Sequence, residues 1–359
     1  MAKAPTAVYA LTQQGALMAA KIVQAMDVDL YVPRSLLVIG AIKGAKPFDS
    51  LRALVGKTYA SYRQHIFIAA AGVAVRCIAP HIKDKSIDPA VVALDHHGRR
   101  VISLLSGHLG GANKLARDVA AVTGGEAVIT TATDTEKLPS LDLLALEFNL
   151  AVANIKAVGK VNAALLAGQP VIVDDSYNYL QLRHSAWKEL FIFTQTPAYR
   201  SLNKDEEENL ARVTVTPHLS APAESNLVLH PKVLHAGIGC RRGARAEEIM
   251  NLIGLALEQL EFAPPSLASI ASVDIKQYEP GLIDVAQTLE LPLKFFSAKE
   301  LDDLQPAAPS AKAHGVPGLD GVCEPAAMLA AGENARLRLA TLAQKNIAIA
   351  IAQETPLNE

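Results

Sequence analysis

Residues 101–111 read VISLLSGHLGG and pass straight into ANKLARDVAAVTGG. A β-like apolar run ends in a turn that sets Gly107, Gly110 and Gly111 around one imidazole, His108, and a helix follows. With an unperturbed pKa of about 6.5, an imidazole can both give and accept protons at neutral pH. A helix that begins after a glycine turn presents unpaired N–H groups and the positive end of its dipole, which together suit an anion. The candidate binding positions here are Ser106, Gly107, Gly110, Gly111 and Asn113, with His108 as the proton-transfer residue. The layout returns at 233–243 as VLHAGIGCRRG, which adds Gly239, Cys240, Arg241 and Arg242. Guanidinium groups clamp a carboxylate or phosphate through paired hydrogen bonds. Arg76, after AAAGVAV, offers the same at the expected end of another strand.

Each position also has a plain structural reading. Tight strand-to-helix turns with positive φ favour glycine with or without a ligand, and a turn histidine can bond a nearby carbonyl. Neither loop is a nucleotide fingerprint. No G-x-x-x-x-G-K-[ST] string occurs, and after Gly237 and Gly239 the third position of G-x-G-x-x-G holds Arg242. Thr131, Thr133 and Asp134 close the run AVITTATD and are candidates to orient the histidine or a water. Lys276 and Glu279, in DIKQYEPG, follow a strand, where they form either a surface pair or the lining of a cleft. Glu324 opens a helix, where a carboxylate stabilises by about 0.3–1 kcal/mol without any chemistry. Cys240 lies beside two cations, so its thiolate is expected to be favoured. His96 and His97, adjacent in LDHHGRR, are expected in a turn with side chains pointing apart.

The elements that must carry these loops follow an α/β rhythm, which predicts mainly parallel sheets flanked by helices in several domains. AVYALT, LLVIG, HIFIAAA, AVVALD, RVISLL and AVITTATD read as strands, with helices over 14–26 and 112–122. Residues 141–166 read as helical, PVIVDD, LFIFT and RVTVTP as strands, and NKDEEEN as a solvated turn. PHLSAPAESNLVLHP reads as a linker. Beyond it are expected strands at 233–239, 267–273, 293–296 and 346–352, with helices at 245–260, 281–290 and 323–331. LQPAAPSAKAHGVPG is expected to be a mobile surface loop. The expected domains are 1–136, 137–228 and 229–359.

A chain of 359 residues with net charge −2 and 50% hydrophobic residues has room for large cores. Mean hydropathy is +0.20, yet no apolar run approaches the roughly 18 residues of a membrane span. No export signal is apparent, so a cytoplasmic protein with no membrane partner is expected. The absence of a basic cluster flanked by aromatics argues against nucleic acid. Cys77, Cys240 and Cys323 are too scattered for a disulfide framework or a tetrahedral zinc site, and no bound metal is expected.

Taken together, the strings resemble one family. The stretch AAAGVAVRCIAPHIKDKSIDPAVVALDHHGRRVISLLSGHLGGANKLARDVA, with AVITTATD, resembles the N-terminal domain of the cobalt-precorrin-5A hydrolase (CbiG) family of anaerobic cobalamin, or vitamin B12, biosynthesis. HAGIGCRRG, DIKQYEPGL and GVCEPAAMLAAG resemble its C-terminal domain, which also exists separately as CobE. The chain departs from that pattern at Ala244, where a helix-capping threonine or serine is usual, and at Cys323, where a smaller residue is expected. The resemblance implies a cobalt-containing tetrapyrrole substrate that brings its own metal, with no resident cofactor. It implies opening of the ring A δ-lactone and release of acetaldehyde. Within that reaction His108 is expected as general base and the Gly110 and Gly111 amides as oxyanion donors. Asp134, Thr131 and Thr133 would orient them. Arg76, Arg241 and Arg242 would bind the substrate's carboxylates, with Lys276 or Glu324 completing the cleft. Other corrin-pathway enzymes and a second copy of the chain are the protein partners compatible with this reading. The rival readings are a tetrapyrrole carrier without catalysis and a nucleotide-binding regulatory protein.

Overall fold

The first strand owes its place to alternation. In β1 (Ala4–Ala10) Val8 and Ala10 pack on one face and Ala7 and Tyr9 on the other, all four fully buried. The computed structural model describes residues 4–37, 44–84, 87–108, 110–220, 225–304 and 321–355. They fold as two compact units, residues 1–143 and 144–359, with strands in three sheets. The α/β class and its mainly parallel pairing match the reading of the sequence.

The first unit continues with α1 (Gln13–Ala25), β2 (Asp29–Pro33), α2 (Arg34–Leu37), β3 (Lys46–Phe48), α3 (Leu51–Thr58), β4 (Tyr62–Ile68) and α4 (Ala71–Ile78). Then come β5 (Ala90–Leu94), β6 (Arg100–Leu105), α5 (Ala112–Thr123), β7 (Glu126–Val128), α6 (Ala132–Thr135) and the start of α7 (Leu141–Glu147). The seven strands lie in the order β3-β2-β1-β4-β5-β6-β7. Ile22 of α1 with Leu115 and Val119 of α5 fills one face. Val55 of α3 with Ala74 and Ile78 of α4 fills the other. Each of these valine, leucine and isoleucine side chains contributes about 1.5–3 kcal/mol on full burial. The pairing is parallel from β3 through β5 and turns antiparallel between β5 and β6, after which β6 and β7 run parallel to each other. Loops after β6 and β7 therefore emerge at the edge where β1, β4 and β5 begin.

The second unit holds β8 (Leu150–Val152), α8 (Ile155–Leu166), β9 (Val171–Asp174), β10 (Phe191–Phe193), α9 (Pro197–Arg200), α10 (Lys204–Asn209), β11 (Arg212–Val215) and β12 (Asn226–Pro231). Its strands form a sheet of order β10-β9-β11-β12-β8. A third sheet, β15-β14-β13-β17-β16, is built from β13 (Leu234–Cys240), α11 (Ala246–Gln259), β14 (Leu267–Val273), α12 (Pro280–Thr288), β15 (Leu293–Phe296), α13 (Ala298–Asp303), α14 (Cys323–Ala331), β16 (Ala335–Gln344) and β17 (Ile347–Glu354). A Cβ on Gly237 would come within 1.9 Å of the Cys323 carbonyl oxygen, so the start of α14 rests directly on β13. Cys323, only 1% exposed, packs there among Ala348, Ala350 and Ala352, and that crowding explains why the position suits a small side chain.

Several expectations change. Leu36 and Leu37 end α2 rather than open a strand, and the rest of LLVIG lies outside the described residues. Residues 141–166 are split by β8, with Asn149 in the left-handed region at φ 55. NKDEEEN forms α10, because Asn203 and Glu206 make a reciprocal capping box. The last six residues of the expected linker are β12, a buried strand paired to β11 and β8; its run NLVLHP supplies the apolar side chains that the neighbouring prolines masked. The edge strand β16 was not anticipated. Of the expected mobile loop only Leu304 is described. No helix among the described residues is long and apolar enough to cross a membrane.

Candidate active site

The turn after β6 folds back on itself. Ser106 takes φ 57 and Gly111 φ 86, both left-handed. The Gly111 amide donates to the His108 carbonyl at 2.8 Å, Ala112 N to Ser106 O at 3.0 Å, and Asn113 N to Gly107 O at 3.0 Å. These bonds close the turn and commit the Gly111, Ala112 and Asn113 amides within it. Gly111 is thus not free to serve as an oxyanion donor. Gly110 is glycine for a packing reason: a Cβ there would lie 2.3 Å from Ser106 Cβ and 2.8 Å from Ser106 O. The Ser106 hydroxyl is buried without a hydrogen-bond partner among the described residues.

His108 emerges from this turn into a ring of polar groups. Its Nε2 lies 3.4 Å from Asp134 Oδ2 and 3.3 Å from Thr133 Oγ1. Nδ1 lies 3.0 Å from Ser140 Oγ and 3.4 Å from Asp142 Oδ2. The Ser140 hydroxyl donates to Asp142 Oδ1. The imidazole side chain is 16% exposed and that of Asp142 5%. The hydrogen bond to Asp142 is the main cause that raises the His108 pKa above its ordinary value; burial opposes it, and the charges of Asp142 and Asp134 reinforce it. Burial pushes the Asp142 carboxyl upward, yet the bonds from His108 and Ser140 outweigh it and hold the group below the usual carboxylate range. The cluster therefore favours an imidazolium between two carboxylates, a proton donor as much as an acceptor.

Asp134 is itself fixed. Asn113 Nδ2 donates to its Oδ2 at 2.9 Å and to Thr131 Oγ1 at 3.0 Å, while Asn113 Oδ1 accepts from Ser103 Oγ at 2.7 Å. Arg117, one turn further along α5, donates from Nη2 to Asp134 Oδ1. Asn113 is 2% exposed and both its amide protons are committed, so it holds the site together rather than meeting a ligand. Thr133 and Asp134 lie beside His108 and Thr131 beside Asn113, though not at a strand end. The strand stops at Val128 and they sit at the start of α6.

The second loop differs from its expected form. Gly239 and Cys240 are buried in β13, and burial outweighs the charge of Lys276 and pushes the Cys240 thiol up to about 11. The Gly243 amide donates to Glu279 Oε1 at 2.6 Å; the protein's own carboxylate fills the position expected for an anion. Glu279 is 7% exposed and pairs with Lys276 at 3.5 Å, a half-buried tie rather than a surface pair. Helix α11 is capped at Arg245, so Ala244 precedes the cap and a hydroxyl there would not occupy it. Arg241 and Arg242 are exposed. Arg76 is exposed on α4, not at a strand end, and turns back to the Gly72 carbonyl at 3.3 Å. Glu324 Oε1 accepts from Thr341 N at 2.9 Å and Thr341 Oγ1 at 3.1 Å, which ties α14 to β16. His96 and His97 do occupy a turn, but their rings lie 4.2 Å apart rather than diverging.

Sequence reasoning missed Ser140, Asp142 and Arg117. Ser140 and Asp142 fall in PSLDLL, which reads as an ordinary helix start: a small hydroxyl residue before the helix and an acid in its first turn. Arg117 sits four residues after Asn113 on one helix face, a spacing that marks a shared target.

Family profiles match three consecutive segments: residues 53–134 to "Cobalamin synthesis G N-terminal", 139–231 to "Cobalamin biosynthesis central region" and 234–352 to "Cobalamin synthesis G C-terminus". The cobalt-precorrin-5A hydrolase of Priestia megaterium is 34% identical over 309 residues, covering 84% of this chain and 82% of its own length. That of Salmonella typhimurium is 34% identical over 326 residues, 90% of this chain and 91% of its own. The chain belongs to the cobalt-precorrin-5A hydrolase family. The protein CobE of a Sinorhizobium species is 33% identical over 118 residues, 32% of this chain and 77% of its own. In the family's segment scheme His108 and Asp134 lie in the N-terminal segment, Ser140 and Asp142 in the central one.

Proposed function

We propose that this chain hydrolyses cobalt-precorrin-5A in cobalamin biosynthesis and that the His108 cluster carries the proton transfers. Water adds to the acyl carbon of the ring A δ-lactone, the acyl–oxygen bond breaks, and the departing alkoxide oxygen takes a proton. That same oxygen then gives the proton up as the carbon–carbon bond to the macrocycle breaks. The electron pair passes to the macrocycle and the two-carbon fragment leaves as acetaldehyde. One group able to give and then accept a proton at one oxygen serves both steps, and an imidazole between carboxylates is such a group. The supporting observation is the placing of His108 between Asp134 and Asp142, 3.4 Å from each. Cobalt enters with the substrate.

Incubation with cobalt-precorrin-5A and assay of acetaldehyde tests the reading. His108→Ala is expected to slow release by roughly 10²–10⁴-fold, the usual contribution of acid–base catalysis. Tight binding of substrate by the unaltered protein without acetaldehyde would instead identify a carrier.

A further inference from the structure

The two nitrogens of His108 are held unequally. The single hydroxyl proton of Ser140 is donated to Asp142 Oδ1, so the 3.0 Å approach of Ser140 Oγ to Nδ1 is bridged by a proton on Nδ1. Asp142 Oδ2, 3.4 Å from the same nitrogen, favours that proton electrostatically. On the other side the approaches to Thr133 and Asp134 are longer, at 3.3 and 3.4 Å, and Asp134 already accepts from Asn113 and Arg117. Nδ1 therefore keeps its proton in both charge states, and the proton that comes and goes is the one on Nε2.

We propose that Ser140 and Asp142 are positioning residues that fix the Nδ1–H tautomer of His108 and so reserve Nε2 for the substrate oxygen. This rests on the reaction assigned above. Neither residue touches substrate in this scheme; both act through the imidazole, as the orienting third group of a nucleophile–base pair does. Among the described residues, the charged groups facing His108 are Asp142 from α7 and Asp134 from α6, with Arg117 of α5 acting through Asp134.

The test is ¹⁵N resonance spectroscopy of the histidine side chains in the full chain, with the His108→Gln spectrum assigning the signal. Neutral His108 is expected as the Nδ1–H tautomer and titrates above an ordinary imidazole. In Asp142→Asn its titration moves to lower pH and the tautomers mix; Ser140→Ala shifts both in the same direction by less. In turnover Asp142→Asn lowers kcat by no more than the roughly 10²–10⁴-fold loss at His108 itself. KM is held, and whichever limb of the pH profile belongs to His108 moves to lower pH. A merely structural role would lower the rate and leave the limb in place, which would overturn the proposal. Should Asp142→Asn not fold, Ser140→Ala and the unaltered protein still decide. An Nε2–H tautomer in a protein that releases acetaldehyde sinks the clamp and leaves the reaction standing. An Nδ1–H tautomer in a protein that releases none sinks the reaction and leaves the clamp.

Discussion

Asn113 Nδ2 donates at 2.9 Å to the same Asp134 oxygen that lies 3.4 Å from His108 Nε2. The amide thus sets where one of the two flanking carboxylates sits. Asn113→Ala strips Ser103 of its acceptor and Asp134 of a donor inside a closed site, at about 1–3 kcal/mol for a buried group left unpaired. Urea denaturation is expected to show that loss together with slower acetaldehyde release; an unchanged midpoint would contradict it.

Gly110 and Gly111 are sensitive for different reasons. Gly110→Ala drives a methyl group into Ser106 at 2.3 Å and is expected to cost about 1–3 kcal/mol, as overpacking does. Gly111→Ala meets no atom of the described residues within 4 Å and costs the left-handed backbone, about 1–2 kcal/mol. Thermal melts of the two variants should rank Gly110→Ala as the less stable, and the reverse order would mean that the turn is not packed as described.

Acid should weaken the second unit through His235. Burial, aided by the charge of Lys294, lowers its pKa from 6.5 to about 4, and its side chain is 6% exposed. The unfolded chain then binds the extra proton between those values, so stability falls as pH drops below 6.5 and the loss is complete near 4. The full effect is about 3 kcal/mol on the usual conversion. His235→Gln should flatten that part of the stability curve in urea titrations at pH 7 and 4.5; curves of equal slope would rule the histidine out.

Cys240 is expected to be inert. A thiol pushed up to about 11 by burial holds almost no thiolate at neutral pH. Iodoacetamide should label it in the native protein only after unfolding, and fast native labelling at pH 7.5 would show that β13 opens.

The strand-to-helix turn at 106–111 and its histidine were legible because glycines and an imidazole between an apolar run and a helix leave few other structures. The α/β class was legible from the alternation of apolar runs with amphipathic stretches. What escaped were relations across the chain. Ser140 and Asp142 look like a routine helix start, and only the fold brings them to a histidine more than thirty residues earlier. The GIGCRRG turn is less open to an anion than its sequence suggests because the Gly243 amide has a partner in Glu279, 36 positions away, which no local pattern reveals. Arg76 was expected at a strand end, and α4 carries it past the end of β4 instead. AVITTATD read as one strand although β7, an edge strand, pairs with β6 for only three residues; its hydroxyls then turn to Asn113 and His108 instead.

The histidine and its two acids are divided between segments that the family profiles separate, 53–134 and 139–231. Exchange of the central segment between relatives would carry Asp142 with it and leave Asp134 behind. A chimaera assembled at that seam inherits the imidazole and Asp134 from one parent and Ser140 with Asp142 from the other. Where the parents differ at Ser140 or Asp142, hybrid enzymes joined there should shift in the acidity at which they work best, even with every loop around the histidine unaltered.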